Sequence, residues 1–362
     1  MNNTALSAGV ARRIITPPKG IYLIGYGDRS KGNIGVHDDL TATALVIDDG
    51  RTRIAIVAID MLTINEFVVD RVRQSLAPTE ALLCCSHTHS GPIAFADEKS
   101  PRRNQEYIHA LVKNIVSAVR EAESNLQPAW LEYSSGEANV GINRRERMPD
   151  GRMEIGRNPA GPRDKSIQVI SVLCENGRLA TVINYACHGT VLGPDNLLVS
   201  ADWIGVMRNK VENELGGLVL FLQGAAANIN PDMYWEDSRA FEKVTEQGQG
   251  VADAVLAAIR SGPEKMRGTP LSIEREQAWL PTETPVDTPH PPKNYGGPLL
   301  ALAHLPGFMA VFADALLNQR YPWKPVIEAR DGFWSVPMRI NAVRIGDLAL
   351  SHLQRRPLRR SG

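Results

Sequence analysis

Two histidines lie two residues apart in Ser86-His87-Thr88-His89-Ser90-Gly91-Pro92, just beyond the apolar run Ala81-Leu82-Leu83-Cys84-Cys85. A short apolar run of this kind reads as a buried strand. In extended backbone alternate side chains share a face, so His87 and His89 are expected to project to one side where the strand ends. Gly91 and Pro92 then turn the chain. Neutral imidazole is the commonest metal ligand, and a pair on one strand face can begin a zinc site. A turn whose imidazoles only bond the backbone fits the same residues, and the pair by itself leaves both readings open.

The pattern recurs. Thr181-Val182-Ile183-Asn184-Tyr185-Ala186-Cys187-His188-Gly189-Thr190 is a second apolar run ending in histidine and glycine. His188 in isolation is compatible with a strand end of no special role, but catalytic ligands gather at strand ends. A third run, Gly217 to Gln223, leads into Gly224-Ala225-Ala226-Ala227-Asn228-Ile229-Asn230-Pro231. Its small residues allow close approach of backbone or ligand, and Gln223, Asn228 and Asn230 add polar groups that also suit an ordinary turn. Asn143-Arg144-Arg145 offers a guanidinium for a carboxylate or an oxyanion, or simply a solvated basic loop. Asp202, before Trp203, reads first as a helix N-cap and second as a partner of metal histidines. His37 precedes a strand and carries little signal.

The elements that must position these groups are legible from periodicity. Strands are expected at Gly9–Ile15, Leu40–Ile47, Arg53–Ile59, Ala81–Cys85, Trp130–Glu137, Ser166–Cys174, Leu179–Ala186, Leu218–Leu222 and Leu271–Leu280. Ile108, Leu111, Ile115 and Val119 form a 3.6-residue stripe over Asn104–Glu123. Further helices are expected at Glu66–Leu76, Trp203–Leu215 and Ser238–Ile259. Hairpins interrupt the alternation, as at Asp48-Asp49-Gly50, so the fold class is α/β with layered mixed β-sheets flanked by helices. Residues 143 to 163 and Pro281 to Pro298 are rich in Arg, Gly and Pro and read as long irregular segments.

The chain has 362 residues, with 40 basic and 40 acidic side chains. That balance gives no case for nucleic acid as a partner. Cys84, Cys85, Cys174 and Cys187 fall in or at the end of apolar runs, as reduced buried thiols do. Met1 to Leu6 shows neither a basic nor an apolar signal region, so a cytoplasmic location is expected. The apolar stretch Leu299–Leu317 is interrupted by His304, Pro306 and Asp314, which suits a core helix better than a transmembrane span. Transient contact with a membrane is compatible with it.

Taken together, Ser86-His87-Thr88-His89-Ser90-Gly91-Pro92, Gly141-Ile142-Asn143-Arg144, His188-Gly189-Thr190 and Gln223 to Pro231 resemble the N-terminal catalytic domain of the neutral/alkaline, non-lysosomal ceramidases. The resemblance runs from about Ala8 to Leu350. It implies a ceramidase-type α/β domain over residues 1–350, with an irregular insertion at 281–330. It also implies one zinc ion and hydrolysis of the amide of ceramide, or of a related N-acyl substrate, to sphingosine and fatty acid. By residue-level correspondence His87 and His188 are the expected zinc ligands, while His89 and Arg144 line the reaction centre. Zinc lowers the pKa of bound water to about 7 and polarises a carbonyl, and imidazole or guanidinium donors then stabilise the tetrahedral intermediate.

Two departures shape the expectation. Where the family carries a serine thought to take part in catalysis, this chain has Asn230. An amide is no nucleophile, so activity is expected to rest on zinc-bound water, with Asn230 orienting that water or the substrate carbonyl. A zinc amidase or esterase acting on something other than ceramide is the alternative. Secondly, the family continues beyond Leu350 into a Gly-Glu-Pro motif and a later tyrosine that complete the zinc shell. Here residues 351–362 read Ser-His-Leu-Gln-Arg-Arg-Pro-Leu-Arg-Arg-Ser-Gly, with four arginines in the last eight positions. The expectation is an aberrant basic tail on a C-terminally truncated chain, which admits an inactive remnant as a further alternative. A third metal ligand would then have to come from His89 or Asp202.

Overall fold

The computed structural model describes residues 6–27, 29–94, 101–232, 241–266, 270–285, 328–346 and 348–353. The first half contains β1 (Ser7–Ile14), β2 (Gly35–Val36), β3 (Thr41–Asp48), β4 (Arg53–Ile59), α1 (Glu66–Leu76), β5 (Glu80–Cys85) and α2 (Arg102–Ser124). Next come β6 (Gln127–Glu137), β7 (Gly141–Arg147), β8 (Met153–Asn158), β9 (Ser166–Cys174) and β10 (Gly177–Tyr185). They are followed by β11 (Leu198–Val199), α3 (Trp203–Leu215), β12 (Leu218–Gln223), β13 (Ile229–Pro231) and α4 (Phe241–Arg260). The last described elements are β14 (Glu264–Lys265), β15 (Leu271–Pro285), β16 (Glu328–Arg330), β17 (Phe333–Ile345) and β18 (Leu348–Leu353).

The main sheet runs β12-β10-β9-β6-β1-β3-β4-β5. It is antiparallel through its middle and parallel at both ends, where β10 pairs β12 and β4 pairs β5. A helix crosses over in each parallel unit, α1 between β4 and β5 and α3 between β10 and β12, as parallel pairs require. Within the sheet ladder the two halves are joined by the β1–β6 pairing, Ser7↔Pro128 and Ala8↔Gln127. There the sheet folds back on itself, so that β12 touches β3, β4 and β5. Leu45, Ile56, Leu82, Val172, Val182 and Leu220 fill the space between the halves.

Helices cover both outer faces. Ile108, Leu111, Ile115 and Val119 of α2, with Val68 and Val72 of α1, pack on Ala44, Val57 and Leu83. Trp203 and Met207 of α3 and Val251 and Val255 of α4 pack on Val169, Ile183 and Phe221. The result is four layers, helix-sheet-sheet-helix. Strands buried on both faces read as continuous apolar runs rather than alternating ones, which is why β3, β4, β10 and β12 stand out in the sequence. A second, antiparallel sheet, β15-β17-β16 with β18 on β17, adds Leu271, Val343 and Ile345 to the inter-sheet core. Among the described residues no helix is long and apolar enough to cross a membrane.

The structure corrects three expectations. Residues 143–163 are not a loop: β7 and β8 form a hairpin paired Arg145↔Ile155, Glu146↔Glu154 and Arg147↔Met153. Its strands are charged on both faces, so no apolar alternation announces them. β15 continues past Leu280 through Pro281 to Pro285, with an irregularity in register between those prolines; residues 286–327, including Leu299–Leu317, lie outside the described residues. Ser351, His352 and Leu353 pair with Ala342, Asn341 and Ile340 as the end of β18, while the four arginines beyond them lie outside the described residues.

Candidate metal centre

His87, His89 and His188 come together, each offering a ligand atom within 4.8 Å of the others. Their ring centroids are 5.1 Å (His87–His89), 5.0 Å (His87–His188) and 5.7 Å (His89–His188) apart. The convergence does not arise from strand alternation. β5 stops at Cys85, and His87 sits at φ +66°, a left-handed conformation that non-glycine residues adopt at a cost. Instead, Thr88 forms a parallel bridge with Gly189, and the His89 N–H donates to the Gly189 carbonyl at 2.9 Å. The turn after β5 is thereby laid against the turn after β10, two strand ends that the folded sheet brings to one place.

Two of the three histidines, His87 and His188, are oriented by a backbone carbonyl. His87 Nδ1 lies 2.7 Å from the Leu62 carbonyl oxygen, and His188 Nδ1 lies 2.8 Å from that of Ile229. A carbonyl can only accept, so Nδ1 carries the proton in both rings and Nε2 keeps its lone pair for a ligand. The Ile229 carbonyl also takes the His188 N–H at 3.1 Å, and the His188 carbonyl accepts from Trp203 Nε1 at 2.8 Å. His87 N–H donates to the Met61 carbonyl at 2.9 Å. Met61 and Leu62 follow Asp60, whose buried carboxylate accepts from Arg208 Nη1 (2.5 Å), Thr41 Oγ1 (2.9 Å) and Thr41 N (3.0 Å). This ion pair between the two halves of the protein fixes the carbonyls that hold His87. Three imidazoles, two with an acceptor behind Nδ1, are a donor set that suits a borderline metal such as zinc.

Arg144 and Asn230 form an adjoining pair. β13 is held on β7 by Asn230↔Ile142 and Ile229↔Asn143. Arg144 Nη1 donates to Asn230 Oδ1 at 3.2 Å, and its N–H to the Asn228 carbonyl at 2.8 Å. Burial and the neighbouring Arg145 charge lower the Arg144 pKa from its ordinary value, yet a guanidinium stays charged at neutral pH. Asn230 is one residue from the carbonyl that holds His188, which ties this pair to the imidazole cluster. Asn228 turns its amide to the Pro162 carbonyl at 3.3 Å, and Gln223 to that of Gly224 at 3.4 Å.

Asp202 does not supply the third imidazole-like ligand. Its carboxylate caps α3, accepting from Trp203 N at 2.8 Å, and holds the turn after His188 through Val191 N at 3.2 Å and Leu192 N at 3.0 Å. It does so at φ +60°, a backbone position that would suit glycine, because no glycine carries that carboxylate. Burial pushes its pKa up to about 6 against the pull of those N–H groups. His37 stands apart, stacked on Phe241 at 4.0 Å with Nδ1 2.8 Å from Asp38.

Sequence reasoning missed Tyr26 and Arg29. The Tyr26 ring lies 5.1 Å from that of His89, and its hydroxyl donates to the Leu192 carbonyl at 3.0 Å. Arg29 is buried and donates to the carbonyls of His89 (2.5 Å), Gly193 (3.1 Å) and Pro194 (3.1 Å). Both come from a glycine-containing segment without periodicity, where no local signal marks them.

A four-layer α/β protein with a three-histidine cluster at converging strand ends defines the class. Residues 7–227 match the family model described as neutral/alkaline non-lysosomal ceramidase, N-terminal, and the chain belongs to that family. It is 27% identical over 234 residues to the neutral ceramidase of Pseudomonas aeruginosa, covering 59% of this chain and 35% of that protein. It is 28% identical over 215 residues to neutral ceramidase B of Dictyostelium discoideum, covering 54% of this chain and 30% of the relative. These matches span about a third of the length of the relatives. The crystal structure of the Pseudomonas aeruginosa enzyme superposes with a TM-score of 0.71 at 21% identity, over 97% of this chain and 62% of that one. A ceramidase structure described as complexed with C2 gives 0.69 at 20% identity, over 96% of this chain and 63% of that one.

Proposed function

We propose that this chain is a zinc-dependent amide hydrolase of neutral ceramidase type, acting on ceramide or a related N-acyl lipid. The observation that carries the reading is the His87–His89–His188 cluster, built by two family motifs across the Thr88–Gly189 bridge. His87 and His188 would hold the ion through Nε2, and His89, rather than Asp202, is placed to complete or adjoin its shell. Bound there, zinc supplies a Lewis acid that lowers the pKa of water and polarises an acyl carbonyl. The protein's own part is electrostatic and positional. Arg144 presents a half-buried positive charge to the oxygen that becomes negative as the amide is attacked. Asn230 fixes one nitrogen of that guanidinium and so sets its direction.

A second reading, hydrolysis of shorter N-acyl amides or esters, is favoured by Asn230 itself, whose amide oxygen is engaged by Arg144 and has no nucleophilic character. Turnover of ceramide and of short N-acyl amines by purified, zinc-supplemented protein tests both readings. Release of sphingosine supports the first. Cleavage of the short amides with ceramide untouched supports the second, and turnover of neither contradicts the hydrolase proposal.

A further inference from the structure

We propose that the β7–β8 hairpin docks on an anionic lipid bilayer. The hairpin extends from the strand that carries Arg144, closed by a turn in which Met148 N–H donates to the Arg152 carbonyl at 2.8 Å and Gly151 N–H to that of Met148 at 2.9 Å. Residues directly opposite in an antiparallel pair share a face. Arg145 lies opposite Ile155 and Arg147 opposite Met153, so one face presents two arginines and two large apolar side chains. All four are exposed, Met153 by 47% and Ile155 by 62%. Single exposed apolar residues need no explanation; two in line, each beside a cation, form an amphipathic surface.

The acidic residues are turned elsewhere. Glu146 and Glu154 oppose each other on the other face. Glu146 folds over Gly156, where a Cβ would stand 1.9 Å from its Oε2, and that oxygen accepts the Arg157 N–H at 2.8 Å. Asp150 and Glu154 are paired with Arg152 at 2.6 and 3.1 Å. Among the described residues Arg145 and Arg147 have no acidic partner within ion-pair distance. The face is thus cationic and apolar at once, which complements phosphate headgroups above acyl chains. No aromatic side chain lies on it for stacking against bases, so a single-stranded nucleic acid fits it less well. The inference goes beyond the hydrolase proposal and does not depend on turnover.

Sedimentation with phosphatidylcholine vesicles, and with vesicles of equal parts phosphatidylcholine and phosphatidylserine, tests it in the absence of any ceramide. The full chain is expected to bind only the anionic vesicles, and to release at about 0.5 M salt, where the screening length is about 4 Å. Each arginine is worth about fivefold near such a surface, so Arg145→Gln/Arg147→Gln should weaken binding about 25-fold. Met153→Ser/Ile155→Ser should weaken it as well, with thermal stability unchanged in both because every substituted side chain is exposed. Equal binding by these variants and the unaltered chain would overturn the proposal. So would binding to neutral vesicles alone, or concentration-dependent dimerisation through β8 without vesicle binding.

Discussion

The His89 N–H donates to the Gly189 carbonyl at 2.9 Å, joining the turn after β5 to the turn after β10. These strands are near opposite ends of one sheet, and only its fold at the β1–β6 contact brings them together. Gly189 is part of the fit, since a Cβ there would stand 3.0 Å from Thr88 Cα and 3.3 Å from the His87 carbonyl. Gly189→Ala should push the two turns apart by a few tenths of an ångström. The expected outcome is a loss of zinc affinity of roughly tenfold, in the range of changes that disturb ligand support. A chelator-competition titration reads it directly, and unchanged affinity would show that the bridge does not set the metal geometry.

Asp202 makes stability depend on acid in an unusual direction. Its folded pKa of about 6 lies above the ordinary 3.8, so between about pH 4 and 6 the folded protein holds a proton that the unfolded chain has released. Its contribution to stability is therefore greatest below pH 4 and falls as pH rises towards 6, on the order of 2–3 kcal/mol by linkage. Urea unfolding at stepped pH should show this slope in the parent and lose it in Asp202→Asn. An identical pH profile in the variant would rule the effect out.

The buried pair Asp60–Arg208 links the carbonyls behind His87 to α3. Removing one partner strands the other charge, and such losses cost about 3–5 kcal/mol. Asp60→Asn should therefore destabilise the fold by about that amount, measured by denaturant midpoint. A change below about 1 kcal/mol would indicate that water replaces the carboxylate.

Arg144 is expected to matter for rate rather than for folding. Removal of one preorganised donor to a developing oxyanion typically costs 10²–10³ in kcat. Arg144→Ala should show a loss of about that size on whichever amide is turned over, with the melting temperature changed by only a few degrees. Asn230→Ala should cost less, since it removes the guide and leaves the charge. Equal kcat in Arg144→Ala and the parent would remove Arg144 from the reaction centre.

Much of the layering was legible in the chain. Arg53–Ile59, Glu66–Leu76, Ser166–Cys174 and Trp203–Leu215 have the expected bounds, because strands buried on both faces and amphipathic helices leave strong periodic signals. His87, His188, Arg144 and Asn230 can be singled out in the sequence because each belongs to a recognisable motif, although the structure sets Arg144 within β7 and Asn230 within β13. The mechanism of their convergence was hidden. Neither the left-handed His87 backbone nor the Thr88–Gly189 bridge has a local signature, since both follow from the fold of the sheet about β1 and β6. The β7–β8 hairpin is hidden for a different reason: charged residues on both faces of its strands leave no apolar alternation, and the Pro149-Asp150-Gly151 turn is its one sequence mark. Asp60, a carboxylate closing the apolar strand Arg53–Ile59, was visible and could have been singled out; Tyr26 and Arg29 could not.

Metal content measured on purified protein and on single histidine variants tests the centre most directly. About one zinc per chain is expected in the parent, with His87→Ala and His188→Ala each losing most of it while remaining folded by circular dichroism. His89→Ala should retain a weakened site if His89 completes the shell. A parent chain that binds no zinc after incubation with the ion, or binds it equally well without His87 and His188, would contradict the assignment.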